Sequence, residues 1–504
     1  QPAEELCPTW YDMVGCPDDG TWLFAGSGFY PADATSLEPF GARLIGPSEG
    51  DGFGTSISAS NVLGDDGPGD LIISAPNRMA DADYIEGIAV DIANAGVAFL
   101  ANNRFLWGPD DVFLNGETPP TPHQYIMGFT SHCGDGRARS LGALRIAGDT
   151  GDNIQNIIGI DDFNGDGRND FAVGAPTANA RQGRVYIAYR RHAGSALEGN
   201  FILNKLERDP NDAERLDGIL IVTNTSDQLG SSLAGGFDFN DDGYSDLVIG
   251  SPNASGGAGE VVIVFGKPGI ISGVNGITVS EILSTRRTTD DRRVAARIAG
   301  NPLDTDGQFG FNVANAGDVD GDGFDDLLIA APNASPRFDP DLNDGTDELT
   351  EAGLDLDFDG AKDDVSGPQG QPDGARTNDD DLTNAGIVYL IYGSNRLDQI
   401  PAADTTINVD QLGGNYLRGL MIVGRAAGDR IGGGDAGDVN GGGSDKKIGR
   451  GRSRGLASAG DVDDDGRVDF LIGSVVADPR RDPNTGDGVH NGGEAYLIYG
   501  SVTP

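Results

Sequence analysis

Short runs of apolar residues recur along the chain, and each run ends at small residues that are usually followed by proline. The run that begins at Asp70 reads DLIISAP, and similar runs begin at Asp170 (DFAVGAP), Asp246 (DLVIGSP) and Asp326 (DLLIAAP). A fifth run, DFLIGS at Asp469, lacks the proline. Apolar runs of this length that stop at turn residues predict buried β-strands.

Three further segments accompany each run. A strand rich in β-branched and aromatic residues follows it, at residues 96–100, 183–187, 259–265, 386–392 and 493–499. A Gly-bounded apolar stretch lies upstream, at residues 42–46, 125–128, 218–222, 295–300 and 419–424. Between the stretch and the run stands a segment that opens with an apolar residue and a glycine: Phe53-Gly54, Leu141-Gly142, Leu229-Gly230, Phe309-Gly310 and Ile431-Gly432.

These segments predict four short strands per unit, and the chain contains five units. Four-stranded units in series are typical of a β-propeller. No long stretch has a 3.6-residue period, so little helix is expected. The sequence therefore predicts an all-β propeller over residues 36–504, preceded by an N-terminal extension over residues 1–35.

An acidic loop of the form D-x-[DN]-x-D-G-x-x-D precedes the apolar run in four units. Oxygen atoms at positions 1, 3, 5 and 9 of such a loop converge, and the glycine at position 6 lets the chain turn sharply. Ca²⁺ takes about 6–8 oxygen ligands and suits this spacing. Asp, Asn and Gly also form ordinary turns, but four copies at one place in the repeat favour calcium. The predicted ligands are Asp162, Asn164, Asp166, Asp170, Asp238, Asn240, Asp242, Asp246, Asp318, Asp320, Asp322, Asp326, Asp461, Asp463, Asp465 and Asp469.

The Phe-Gly pair, the small-residue and proline ending and the acidic loop between them together resemble the FG-GAP repeat family. That family includes the propeller repeats of integrin α chains and of many secreted bacterial proteins. The resemblance covers roughly residues 40–500. It implies a propeller that holds Ca²⁺ in a hairpin loop of each bearing blade. Family members usually have seven blades, whereas five units are present here.

Three segments depart from the pattern. In the first unit Val62 and Gly64 occupy positions 1 and 3, so no calcium is expected there. A partial copy at residues 438–446 loses positions 5 and 9 and is interpreted as an inactive duplicate. An insertion at residues 337–383 carries fifteen acidic and three basic residues. Within it Asp355, Asp357, Asp359 and Asp363 have the ligand spacing, which indicates either a further calcium site or a solvated acidic loop. About four to five Ca²⁺ per chain are therefore expected.

The chain is strongly acidic, with a formal net charge of −44. Such a surface repels nucleic acid and anionic lipid, so neither is expected as a partner. A Gly-rich loop at residues 441–456 carries the opposite charge, on Lys446, Lys447, Arg450, Arg452 and Arg454. It is either a solvated loop or a surface that pairs with the acidic insertion of another copy, which would give self-assembly.

Features outside the repeats favour an exported protein. No apolar run approaches the roughly 18 residues that span a bilayer, and a start at Gln1 suggests a removed signal peptide. Cys7 and Cys16 are predicted to form a disulfide, and Cys133 is expected to be a free thiol. Asn224, Asn253 and Asn333 match the N-glycosylation pattern, which matters only in a eukaryotic secretory pathway.

The sequence favours a binding protein over an enzyme. Its four His residues do not stand in a nucleophile motif, and no catalytic residue is predicted. We expect a secreted or cell-surface calcium-binding propeller that acts in adhesion, in matrix or filament assembly, or in ligand binding. Its partners would be extracellular proteins or glycans. The alternative is a propeller-scaffold lyase or hydrolase that acts on polysaccharide.

Overall fold

The computed structural model of the chain describes 18 stretches of it as well as two single residues. They are residues 43–45, 50–60, 62, 70–80, 92–101, 124–126, 130–132, 138–140, 144–189, 201–203, 217–268, 276–287, 291–302, 304–336, 382, 384–400, 406–426, 428–435, 452–477 and 493–501. Statements about structure below refer to these residues.

Most of the regular structure is short β-strand. The first fourteen strands are β1 (Arg43–Ile45), β2 (Ile57–Ser60), β3 (Asp70–Ala75), β4 (Val97–Ala101), β5 (Gln124–Ile126), β6 (Thr130–His132), β7 (Ala138–Ser140), β8 (Leu144–Ala147), β9 (Asn156–Asp161), β10 (Asp170–Ala175), β11 (Arg184–Ala188), β12 (Phe201–Ile202), β13 (Gly218–Val222) and β14 (Ser232–Phe237). The others are β15 (Asp246–Ser251), β16 (Glu260–Val264), β17 (Ile277–Thr278), β18 (Ala295–Ala299), β19 (Asn312–Gly317), β20 (Asp326–Ala331), β21 (Ile387–Ile391), β22 (Ile407–Asn408), β23 (Gly419–Val423), β24 (Gly433–Asp435), β25 (Arg452–Arg454), β26 (Leu456–Gly460), β27 (Asp469–Ser474) and β28 (Glu494–Ile498).

Helix is confined to short pieces in the described residues. They are α1 (Ala178–Arg181), α2 (Val279–Ser284) and the 3₁₀ turns Ala254–Gly257, Leu397–Gln399 and Val409–Gln411. The helix α2 begins with a capping box, in which Thr278 and Glu281 exchange hydrogen bonds.

Five antiparallel sheets form the five blades of a propeller. From the inner strand outward they are β2-β3-β4-β8, β9-β10-β11-β13, β14-β15-β16-β18, β19-β20-β21-β23 and β26-β27-β28. A short parallel strand, β12, β17 or β22, extends each of the first three. The inner strands of consecutive blades contact each other in series from β2 to β26. The prediction of an all-β propeller with five units is confirmed.

Blade boundaries are offset by one strand from the repeat read in the sequence. The apolar stretches at 218–222, 295–300 and 419–424 supply β13, β18 and β23, which are the outer strands of the preceding blades. A repeat pattern identifies the segments, but it does not show whether the fourth strand pairs backward or forward.

In the second unit two assignments were wrong. The stretch at residues 125–128 overlaps β5, which pairs with β1, and β8 is the outer strand of the first blade. In this blade Ile154 and Gln155 occupy the place that the Phe-Gly pair has in the other blades. The sequence had assigned that place to Leu141-Gly142. The Ile154 amide donates to Ala95, as the Leu229 and Phe309 amides donate in the next two blades. Because Gln155 replaces the glycine, a search for apolar-Gly pairs misses this turn.

The hydrophobic cores lie between neighbouring blades. On β15, Leu247 and Ile249 pack toward the second blade, and Val248 packs toward the fourth. On β20, Leu327 and Leu328 likewise belong to different clusters. Both faces of the third and fourth blades are therefore buried, which explains why their strands are continuous apolar runs instead of alternating ones.

Several predicted features lie outside the described residues. They are the N-terminal extension with Cys7 and Cys16, the thiol of Cys133, the partial copy at residues 438–446, and the basic residues from Lys446 to Arg450. The loop of Asp355, Asp357, Asp359 and Asp363 and almost all of the insertion that contains it lie there as well.

Candidate metal centres in the blade hairpins

Each predicted acidic loop is the hairpin between the inner and second strands of a blade. Position 9 is the first residue of the second strand, at Asp170, Asp246, Asp326 and Asp469. Strand register shifts by a residue at the base of all four hairpins. This bulge changes the direction of the side chains at the base of the loop. The predicted ligands of each loop lie on one short turn.

The carboxylate at position 1 organises the turn. In the second blade Asp162 accepts hydrogen bonds from the amides of Asp166 and Gly167, at 2.9 and 2.8 Å. Asp238, Asp318 and Asp461 accept from the equivalent pair of amides. The backbone of each loop is therefore held in its turn by its own first ligand.

Positions 3 and 5 are held in the same local way. In the fourth blade Asp320 accepts from the Asp322 amide at 3.1 Å, and Asp322 accepts from the Phe324 amide at 3.0 Å. Asn164 and Asn240 accept the corresponding amides in their loops. The oxygen atoms at positions 1, 3 and 5 therefore surround one turn of backbone.

Position 9 links the loop to the end of the third strand. Asp326 is fully buried and accepts hydrogen bonds from the amides of Val319 and Gly393, both at 2.9 Å. Asp246 and Asp469 accept the equivalent amides, including those of Gly266 and Gly500.

These three glycines are site residues that the sequence reasoning missed. A Cβ at Gly393 would lie 2.4 Å from the Asp325 carbonyl oxygen, so no larger residue fits. The signal that could have found them is the aromatic-Gly pair that closes the third strand of each of these blades, as in Tyr392-Gly393.

Two loops bring three carboxylates together. Oxygen atoms of Asp318, Asp320 and Asp326 lie within 4.8 Å of one another, and so do those of Asp461, Asp463 and Asp469. These are positions 1, 3 and 9, and position 5 is outside both groups. In the second and third blades position 3 is Asn164 or Asn240, so the same arrangement there would offer one amide oxygen and two carboxylates.

The crowding leaves an electrostatic signature. The pKa of Asp326 is raised to about 7, mainly by burial and in part by the negative charges of the neighbouring Asp320 and Asp322. Burial also raises the pKa of Asp238 and Asp320, and that of Asp246 rises well above its ordinary value. Gathered oxygen ligands with excess negative charge and no nitrogen or sulfur fit a hard cation such as Ca²⁺.

The third-blade loop differs in one contact. The Arg287 guanidinium lies 2.7 Å from a carboxylate oxygen of Asp242 at position 5, and the two side chains are only 4% and 11% exposed. Arg287 belongs to the connection that follows α2. The loop pattern gives no indication of this contact.

In the first blade, position 1 is a core residue. Val62 is fully buried in the cluster between the first two blades. Its side chain offers no oxygen to a metal, and the expectation that this hairpin holds no calcium stays a prediction. Most of this loop lies outside the described residues.

A family model named FG-GAP repeat matches this chain three times, over residues 156–187, 229–264 and 309–347. The matches coincide with the second, third and fourth blades and contain their acidic loops. Integrin alpha-IIb of Mus musculus is 30% identical over 179 residues, which are 35% of this chain and 15% of the relative. Integrin alpha-8 of Mus musculus is 30% identical over 302 residues, or 52% of this chain and 25% of the relative.

Similarity extends beyond integrins. Phosphatidylinositol-glycan-specific phospholipase D of Mus musculus is 32% identical over 182 residues, or 34% of this chain and 18% of that protein. The chain thus spans less than a fifth of the length of several relatives that it matches.

The fold and the hairpin sites define a β-propeller with acidic blade loops. Three of its blades match the FG-GAP repeat model, and part of the chain is similar to integrin alpha chains. None of its described helices has the length and apolar character needed to cross a membrane.

Proposed function

We propose that the chain is a calcium-stabilised propeller of the extracellular space or cell surface that acts by binding other molecules. The observation that carries the proposal is the pair of three-carboxylate groups, in hairpins whose hydrogen bonds recur in four blades. Bound Ca²⁺ would neutralise carboxylates that otherwise repel each other. The sixteen residues of the four loops would hold the ions, and the Asp355 loop is a candidate for a fifth.

Metal analysis and thermal melting in chelator test the calcium sites. We expect about four to five Ca²⁺ per chain, and removal should lower the melting temperature by several degrees, because a ligand bound only to the folded state stabilises it. An Asp318→Asn/Asp320→Asn variant should lose one ion, whereas Asp65→Asn/Asp66→Asn in the first blade should lose none. A chain that binds no calcium would rule the proposal out.

The binding role rests on the integrin-like repeats and on the absence of predicted catalytic residues. Adhesion, matrix or filament assembly and ligand capture are its possible forms, with extracellular proteins or glycans as partners. The similarity to a phospholipase D supports the alternative, a propeller-scaffold enzyme such as a polysaccharide lyase or hydrolase. Turnover of glycans at millimolar calcium would favour the enzyme, and saturable binding without turnover would favour the binding protein.

We also propose self-assembly through the acidic insertion at residues 337–383 and the basic loop at residues 441–456. The opposite charges of the two segments support this proposal, because they attract each other. Salt screens such attraction, so the contact should weaken as the salt concentration rises. Light scattering should show a species larger than one chain that dissociates at high salt or on deletion of either segment. A monomer that is indifferent to both changes would argue against assembly. We further propose the division into an N-terminal extension over residues 1–35 and a propeller over residues 36–504, the Cys7–Cys16 disulfide, and export of the protein.

A further inference from the structure

The buried Arg287–Asp242 contact sets the third-blade loop apart from the other predicted calcium loops. Position 5 of the fourth blade, Asp322, is exposed and forms no ion pair with a described residue. Position 5 of the fifth blade, Asp465, meets Arg467, but both side chains are about one-third exposed. Exposed pairs of this kind contribute little, because solvent screens them. Of the loops in the third, fourth and fifth blades, only the third-blade loop therefore has a guanidinium shielded from water at position 5.

The contact places two cations in competition for one carboxylate. The Arg287 nitrogen is within ion-pair distance of an oxygen that the loop pattern assigns to calcium. A ligand carboxylate already neutralised by a buried guanidinium has less charge to offer a metal, and calcium affinity follows the ligand charge. The third loop also has Asn240 where the fourth and fifth loops have aspartate.

A second acceptor for Arg287 lies beside the loop. Asp398, in the 3₁₀ turn Leu397–Gln399, is fully buried, and its Oδ1 accepts no hydrogen bond from the described residues. Its Oδ2 faces Arg292 at 3.0 Å and the Asn240 amide nitrogen at 3.4 Å. Burial raises the pKa of Asp398, and the positive charges of Arg292 and Arg287 oppose that rise. Arg287 therefore interacts electrostatically with a second buried carboxylate beside the loop.

We propose that Arg287 is a built-in competitor for calcium, which makes the third-blade loop the weakest of the four predicted sites. Calcium binding there displaces the guanidinium from Asp242 toward Asp398. This inference rests on the proposed calcium binding of the hairpins. It adds that one loop is set to respond at a higher calcium concentration than the others.

Calcium titration of the full chain by calorimetry tests the proposal. Wild-type protein should show one site that is at least about tenfold weaker than the rest. Arg287→Gln should tighten that site by about tenfold without changing the number of ions. Asp242→Asn should abolish the weak site, and Asp322→Asn should abolish a tight one. If Arg287→Gln leaves every affinity unchanged or weakens a site, the proposal is wrong.

Melting in chelator provides a readout that does not depend on folding of the Arg287 variant. Asp242→Asn removes the charge that faces a buried guanidinium, so it should lower the melting temperature. Asp322→Asn removes a charge that is repelled by its neighbours, so it should leave the melting temperature unchanged or raise it. Shifts of the same sign in both variants would overturn the proposal. Failure of wild-type protein to bind any calcium would instead refute the proposed function, and the chelator comparison would still test the contact.

Discussion

The aspartate at position 9 has two roles that have opposite effects on its ionisation. As a predicted ligand it should be ionised and face the metal. As a buried side chain Asp326 also ties the loop to the end of the third strand, by accepting the amides of Val319 and Gly393. Backbone amides favour the ionised form, whereas burial opposes it, and burial has the larger effect on the pKa of Asp326. Ionisation of Asp326 is therefore unfavourable unless a cation neutralises its charge.

The raised pKa of Asp326 predicts a pH dependence for the chelated protein. The pKa is about 7 in the folded chain against an ordinary value of 3.8. Between these values the unfolded chain releases this proton and the folded chain keeps it, so stability falls as pH rises. The contribution is complete below about pH 4 and lost above about pH 7. Melting temperatures in chelator should therefore decrease across this window.

The Asp326→Asn variant tests whether Asp326 causes this decrease of the melting temperature with pH. The net charge of −44 gives a slope of the same sign, because self-repulsion grows as carboxylates ionise. Asp326→Asn should melt lower overall but show a shallower decrease between pH 4 and pH 7. An unchanged slope in the variant would mean that Asp326 titrates normally. With calcium present the ionised form is held, so affinity for the metal should increase toward pH 7.

At the scale of the strands and hairpins, local pattern determined most of what could be predicted. The apolar runs that start at Asp170, Asp246, Asp326 and Asp469 became second strands, with the acidic hairpins where the spacing placed them. The failures involve contacts between distant segments. Gly393 lies 67 residues from its acceptor Asp326, and Arg287 lies 45 residues from Asp242. No spacing rule reaches that far, because the connection that leads to the third strand varies in length between blades, and Gly266, Gly393 and Gly500 lie 20, 67 and 31 residues from their acceptors.

The blade offset has the same origin. A hydrophobic stretch such as 295–300 predicts a strand but does not specify its partner, and pairing is decided by packing. The second unit failed for a different reason. Its turn uses Ile154-Gln155 without the glycine that takes a positive φ at Gly230, Gly310 and Gly432. One atypical turn residue was enough to move the assignment to the wrong pair.

At the scale of the whole molecule, the fifth blade differs from the others in having one face that no described blade covers. Leu328 on β20 and Leu471 on β27 occupy the same place in their blades, since each pairs with a leucine of the third strand, Leu390 or Leu497. Leu328 is fully buried against the fifth blade. Leu471 and Leu497 are 40% and 37% exposed, because no described blade packs on that face.

Alanine substitution of Leu328 and Leu471 tests whether the face of the fifth blade is exposed in solution. Leu328→Ala removes a buried side chain from a packed core and should lower the free energy of unfolding by about 2–5 kcal/mol. Leu471→Ala makes the same chemical change at a partly exposed position and should cost less than about 1 kcal/mol. Equal losses would show that the fifth-blade face is covered in solution. The cover would be either chain outside the described residues or a second copy of the protein. If it is a second copy, the loss of unfolding free energy in Leu471→Ala should depend on protein concentration.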